Sequence, residues 1–225
     1  MLAALMARTT DTRLASLTAP VRDWGARASV DSIGYRLVRA FRNALSQKLY
    51  SAYLGLDGPL PRNRTTAQQE GPLRRLLTER PPALVPPGYK DWDALVDAAL
   101  ADVADQVEKA GGVQSFTWGA RNVTEVHHPL ARILPPVGWL TDPPEQGLPG
   151  DTMMPRVQGP GFGASQRFAV APGHEAEAYF HMPGSQSGHP LSPYYLLGHQ
   201  DWAQGRPTPF LPGPARWTLT LAPEA

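Results

Sequence analysis

The run Pro183–Tyr195, PGSQSGHPLSPYY, holds Ser185, Ser187, Ser192 and His189, with His181 two residues upstream. Hydroxyls beside imidazoles are the material of acyl transfer, in which a serine oxygen attacks a carbonyl and a histidine takes its proton. The strained turn that exposes such a serine reads G-x-S-x-G between a strand and a helix. Here Gly184-Ser185-Gln186-Ser187-Gly188 puts glutamine at the centre. Activation of Ser185 or Ser187 by His181 or His189 stays open, set against a reading in which Gly184, Gly188 and the prolines shape a tight turn. Side chains so close along one loop rarely form a bonded pair with a third orienting group, which favours the turn.

The other reactive residue types resolve into ordinary explanations. His127, His128, His174, His181, His189 and His199 include no H-E-x-x-H and no helical i, i+4 pair, so the sequence predicts no metal site. Gly159-Pro160-Gly161-Phe162-Gly163 has the composition of a phosphate loop. It leads, however, into the strand-like QRFAVA and not into a helix N-terminus that would bind the anion. Asp91, Asp93, Asp97, Asp102 and Asp105 fall largely opposite an apolar stripe, as a solvated helix face does. Asn63-Arg64-Thr65 and Asn122-Val123-Thr124 match the glycosylation sequon, a pattern too frequent by chance to carry weight.

Composition narrows the function further. Twenty-one basic residues against twenty acidic give a net charge of +1, which offers no electrostatic footprint for nucleic acid or an anionic membrane. The absence of cysteine excludes disulfides, thiolate zinc sites and a cysteine nucleophile. MLAALMAR lacks the basic start and apolar length of a secretory signal, and no stretch approaches eighteen apolar residues, so a soluble chain without an address is expected. At 225 residues, one domain, or one domain with a helical appendage, is the expected size class.

These residues must be positioned by elements that the apolar pattern reveals. Residues 1–28 show no sustained period and are expected to form an irregular lead-in. From Asp31, Ile33, Leu37, Val38, Phe41, Leu45, Leu49 and Ala52 recur every three or four positions, one face of a long helix closed near Gly55 and Gly58. Pro72–Thr78 suits a short helix. Asp91 suits the N-cap of a second long one, with Trp92, Leu95, Val96, Ala99, Leu100, Val103 and Val107 on one stripe and Gly111-Gly112 as its stop. Residues 29–112 are thus expected to be mostly helical. Beyond Gly112 the period becomes two and prolines cluster. Strands are predicted at Ser115–Trp118, Val123–His127, Gln166–Ala171, Ala176–His181 and Arg216–Leu221, the third and fourth as a hairpin around APGHE. The last should be half-buried, with Trp217, Leu219 and Leu221 on one face. Residues 113–225 are therefore expected to hold strands and long loops, and the chain to be α+β, helices first.

Read in chain order, Gly163-Ala164-Ser165-Gln166-Arg167, the run Pro183–Tyr195, and Trp202 with Gly205 resemble the C-terminal signature of the penicillin acylase (penicillin amidase) family. That signature reads G-x-S-x-R, a variable hairpin, P-G-G-Q-S-G-N-P-x-S-P-H-Y, then W-x-x-G. Thr117-Trp118-Gly119 with His128-Pro129-Leu130 resembles the family's T-W-G and H-P-L stretch. Asp23-Trp24-Gly25-Ala26-Arg27, then Asp31-Ser32 and a long helix, resembles its W-x-G, D-S and helix passage. Ser185 and His189 depart from the pattern, standing for its second glycine and its asparagine.

The resemblance implies part of a four-layer αββα sandwich of the N-terminal nucleophile hydrolases, within the C-terminal portion of the β-chain region. In that class a precursor cleaves itself to expose a serine whose α-amino group is the general base, and carboxamides are hydrolysed, such as β-lactam side chains or acyl-homoserine lactones. Its catalytic elements precede the matched region, so no catalytic residue is expected on this chain. The signature positions Trp118, Gly119, Gly163, Ser165, Arg167, Pro183, Gly184, Gln186, Ser187, Gly188, Pro190, Ser192, Pro193, Tyr195, Trp202 and Gly205 are expected to be structural. The resemblance further implies no cofactor here, any Ca2+ being bound through residues outside this chain. The implied partners are an upstream segment of the same precursor, or a split-gene product, and a small amide substrate. Full-length members are expected in the periplasm or secreted. The competing expectation is a non-catalytic remnant or binding protein on the same scaffold.

Overall fold

The computed structural model describes residues 2–61 and 69–223, so the sequon at Asn63 lies outside the described residues. Two compact units emerge, one formed by residues 1–124 with 145–160, the other by 125–144 with 161–225.

The first unit is built on two long helices. Helix α3 (Ile33–Tyr53) starts where Ser32 accepts a hydrogen bond from the Tyr35 amide at 3.1 Å. Helix α5 (Trp92–Lys109) starts where the Asp91 carboxylate accepts from the Ala94 amide at 2.8 Å, and it ends at Gly111 and Gly112, both at positive φ. Each cap satisfies an amide that the helix itself leaves unpaired. The apolar stripes predicted for both helices face one core, in which Leu37, Leu45, Leu49, Leu95, Ala99, Leu100 and Val103 are at most 1 % exposed. Helix α4 (Glu70–Glu79), expected from Pro72–Thr78, adds Leu73 and Leu77. The aspartates of α5 face outward as expected: Asp93 pairs with Arg80, Asp102 with Lys48 and Asp105 with Arg13.

The lead-in is not irregular. It comprises α1 (Leu2–Met6), a 3-10 turn over Thr12–Leu17 and α2 (Thr18–Arg22), which place Leu2, Met6, Leu14, Leu17 and Val21 in the same core. Its helices are too short to show a period, yet the exposed flank of α3 and α5 gives them an apolar surface to cover, so packing decides what local pattern could not.

Strand predictions beyond Gly112 need larger corrections. Ser115–Trp118 is not a strand: Val113–Ser115 is a 3-10 turn, and Thr117 caps α6 (Trp118–Arg121) by accepting from the Ala120 amide. Four residues of alternation cannot separate the two outcomes, and the capping hydroxyl prevails. Val123–His127 contributes a single antiparallel bridge, Val123 to Gly147.

In the second unit, α7 (Pro129–Ile133), α8 (Gly138–Thr141) and α9 (His199–Gln204) are short. The hairpin forms: Arg167–Ala169 pairs antiparallel with Tyr179–His181 in the register Arg167 opposite His181, Phe168 opposite Phe180 and Ala169 opposite Tyr179. Arg216–Leu221 is not a half-buried strand. Among the described residues it pairs with no strand, and Trp217, Leu219 and Leu221 are 90 %, 83 % and 85 % exposed. Alternation assigns two faces, but a strand also needs a neighbour's edge to bond and a surface to cover. The fold class is α+β, with far less strand than the sequence pattern implied.

Candidate functional site

Each unit holds one polar cluster beside residues that the sequence singled out.

In the first unit, α6 is held by two of the signature positions. The Trp118 indole is 1 % exposed, donates to the Gly150 carbonyl at 2.7 Å and meets the Tyr35 ring edge-on at 4.8 Å. Gly119 donates its amide to the Val30 carbonyl at 2.7 Å; a Cβ there would lie 2.3 Å from the Val30 side chain and 2.9 Å from that carbonyl, so only glycine allows the approach. One turn on, Asn122 is 1 % exposed, and its side-chain amide donates to the Leu148 carbonyl at 2.8 Å. The second sequon is therefore an internal strut.

These bonds present Asp151 to α3. Its carboxylate accepts from Tyr35 Oη at 2.7 Å, from Arg39 Nε at 2.5 Å and Nη2 at 3.2 Å, and from the Thr152 amide at 2.6 Å. Burial pushes the Asp151 carboxyl up, but the hydrogen bonds from Arg39, Tyr35 and Thr152 outweigh it and hold the group below the usual range. Burial and the adjacent carboxylate push the Tyr35 phenol well above its ordinary value, so at neutral pH it stays a donor. The cluster borders a cleft of about 670 Å³ lined also by Arg42, Asn43, Glu70, Arg121, Met153 and Met154. Tyr35, Arg39 and Asp151 stand in no motif of the sequence, and Asn122 was marked only as a sequon. Tyr35, Arg39 and Asn43 do follow one another at i, i+4 along α3, a polar edge beside the apolar stripe that offered the available signal.

The second cluster ties the hairpin to α9. Arg167 donates to the Trp202 carbonyl at 2.9 Å and to His181 Nδ1 at 3.4 Å, and its guanidinium lies 5.6 Å from the Trp202 ring centroid. With Nδ1 accepting, His181 carries its proton on Nε2 and donates it to the Arg206 carbonyl. Trp202 donates its indole N–H to the Ala164 carbonyl at 2.9 Å. Its ring lies so close to Gly163 that a Cβ would stand 2.3 Å from the nearest ring carbon. Gly205 closes α9 at φ 69°.

The run Pro183–Tyr195 folds back on itself. Ser185 donates its hydroxyl to the Tyr194 carbonyl and its amide to the Tyr195 carbonyl, and its Oγ accepts from the Ser187 amide. Ser187 Oγ accepts from the His189 amide at 3.4 Å, His189 Nδ1 from the Leu191 amide at 3.1 Å, and Ser192 Oγ from the Tyr194 amide at 3.2 Å. Tyr195 anchors the end of the loop by donating to the Thr141 carbonyl at 2.9 Å, and His199 anchors its start by donating to the Pro183 carbonyl at 2.6 Å. Gln186, Gly188 and Pro193 are exposed on the loop, and Pro190 is half-buried; Ser165, before the hairpin, is exposed too. Among the described residues neither Ser185 nor Ser187 bonds a histidine ring. His181 spends both ring nitrogens on Arg167 and Arg206. Among the described residues no group of three histidine or carboxylate side chains could hold a metal ion.

The chain is α+β, its Trp118 and Trp202 pack against backbone and glycine at close approach, and its loop serines bond to backbone. The family model described as penicillin amidase matches residues 1–217, and the chain belongs to the penicillin amidase family, an amidohydrolase family. No individual curated protein matches it.

Proposed function

We propose that this chain is the C-terminal part of a penicillin-amidase-type hydrolase that cleaves carboxamide bonds of acylated small molecules, such as β-lactam side chains or acyl-homoserine lactones. The serine nucleophile would come from an upstream segment of the same precursor or from a split-gene partner. In this reading the α-amino group of that serine removes its hydroxyl proton, the serine oxygen attacks the amide carbonyl, and amide donors stabilise the oxyanion before the amine leaves with a proton. This chain would complete the four-layer αββα sandwich around those groups and carry no cofactor. The assembled enzyme is proposed to be periplasmic or secreted; among the described residues no helix is long and apolar enough to cross a membrane.

The observation that carries this reading is the family match over nearly the whole chain, joined to the state of its own loop serines. Ser185 and Ser187 are held by main-chain groups, and among the described residues neither bonds a histidine ring, which supports a nucleophile from elsewhere. The second unit supplies a supporting observation. Trp139, Ile133 and Leu191 are 84 %, 76 % and 73 % exposed, along with the Trp217–Leu221 stretch, which is apolar surface of the kind another segment covers. The purified chain is expected to show no hydrolysis of aryl-acetyl or long-chain acyl amides above background. Turnover that survives purification and disappears in Ser185→Ala or Ser187→Ala would assign the nucleophile to the loop instead. A second reading, a non-catalytic binding protein, draws support from the arginine-lined cleft of the first unit.

A further inference from the structure

Next to the Asp151 cleft, a smaller cavity of about 250 Å³ opens between α3, α5 and the end of α6. Its wall includes Arg36, Asn43, Gln47, Asp102, Gln106 and Arg121. The charges there do not balance. Arg39, which borders both cavities, is neutralised by Asp151, and Asp102 is neutralised by Lys48 at 3.0 Å. Arg36 and Arg121 form no ion pair among the described residues.

Their environments explain why each is held without one. Arg36 stacks its guanidinium 3.9 Å from the centroid of the buried Phe116 ring and donates Nη1 to the Thr117 carbonyl at 3.0 Å. Its Nε is buried and has no hydrogen-bond partner among the described residues. Arg121 lies 5.6 Å from the Trp118 ring centroid. Aromatic faces and one carbonyl orient the two forks but leave N–H donors over. Burial pushes the Arg36 guanidinium below its ordinary value, and the charge of Arg121 adds to this. Two like charges sharing one pocket wall, one of them with a buried unpaired donor, are costly unless an anion sits between them.

We propose that this cavity binds an oxyanion, a carboxylate or a phosphate group, gripped by Arg36 and Arg121 and flanked by the amides of Asn43, Gln47 and Gln106. Guanidinium forks match both oxyanions with paired hydrogen bonds. The adjoining cleft, with Met153 and Met154 on its wall, has room for the remainder of a small molecule bearing that group. The site is independent of the hydrolase reading, since it needs neither a nucleophile nor an upstream segment.

The test is isothermal titration of the full chain at neutral pH and fixed ionic strength, with sodium phenylacetate in one arm, inorganic phosphate in the other and sodium chloride as the reference. Saturable one-site binding of either oxyanion, absent for chloride, is expected, and the arm that binds identifies the group. Arg121→Gln, at an exposed position, should weaken that binding about tenfold or more, the scale of losing a charge-assisted hydrogen bond. Arg36→Gln should do the same, with circular dichroism checking that each variant still melts as a folded protein. No saturable heat in either arm, or affinity unchanged in Arg121→Gln, would overturn the proposal.

Discussion

Replacing Asp151 by alanine removes the carboxylate that ties its loop to α3 through Tyr35 and Arg39. Its side chain is 7 % exposed and that of Arg39 is 24 % exposed, so the substitution leaves a largely desolvated guanidinium facing an apolar methyl. It also strands the Tyr35 hydroxyl and the Thr152 amide, both of which donate to Asp151. Breaking a buried pair from one side costs about 3–5 kcal/mol; because a quarter of the Arg39 side chain still meets water, the loss should fall near the lower end, about 3 kcal/mol. At about 2–4 °C per kcal/mol for a chain of this size, the transition should drop by roughly 6–12 °C. The assay is thermal circular dichroism at the helix band, which reports mainly on the first unit, where α3 and α5 lie. Asp151→Asn keeps the shape and part of the hydrogen bonding, so it should fall between wild type and alanine. Because the folded-state pKa of Asp151 is depressed, its stabilisation is complete above the unfolded value of 3.8 and fades as pH falls through the lower folded value. The gap between wild type and Asp151→Asn should therefore be widest near neutrality and close in strong acid. A shift under about 2 °C for Asp151→Ala, or a gap that does not change with pH, would show that the carboxylate is not the tie described.

Other consequences are equally direct. Gly163→Ala drives a Cβ into the Trp202 ring and should destabilise the second unit by about 1–3 kcal/mol, read from denaturant melts followed by tryptophan fluorescence. Leu95→Ala, at a position with 0 % exposure between α5 and α3, should cost about 2–5 kcal/mol; Asp91→Ala should cost only about 1, since it removes one cap. The exposed apolar side chains of the second unit should make the isolated chain bind a hydrophobic dye and self-associate on size-exclusion chromatography. A monodisperse chain with no dye binding would show that this surface is tolerated.

The helices of the first unit were legible because a long amphipathic stripe and a glycine stop agree with one another, joined at α5 by the capping Asp91. The short lead-in helices were not, since their structure comes from the core they cover. Arg216–Leu221 misled because alternation encodes faces and is silent about whether a neighbouring edge exists. Within the clusters, Trp118, Gly119, Gly163, Arg167 and Trp202 could be picked out as a pattern, but not the contacts among them. Asp151 stood in no motif. It matters because Trp118 and Asn122 hold the Leu148–Gly150 backbone, a long-range geometry that spacing along the chain does not express.

The proposed function makes this chain a scaffold whose nucleophile is supplied by another segment. Its most direct measurement is complementation: the full chain is co-expressed with a serine-led catalytic segment of a penicillin-amidase-family precursor, and hydrolysis of a phenylacetyl or long-chain acyl amide is followed. Expected are no turnover from either piece alone, turnover from the complex, loss of turnover when the leading serine of the added segment is replaced by alanine, and retained turnover when Ser185 or Ser187 is replaced. Hydrolysis by this chain alone that depends on Ser185 or Ser187 would contradict it.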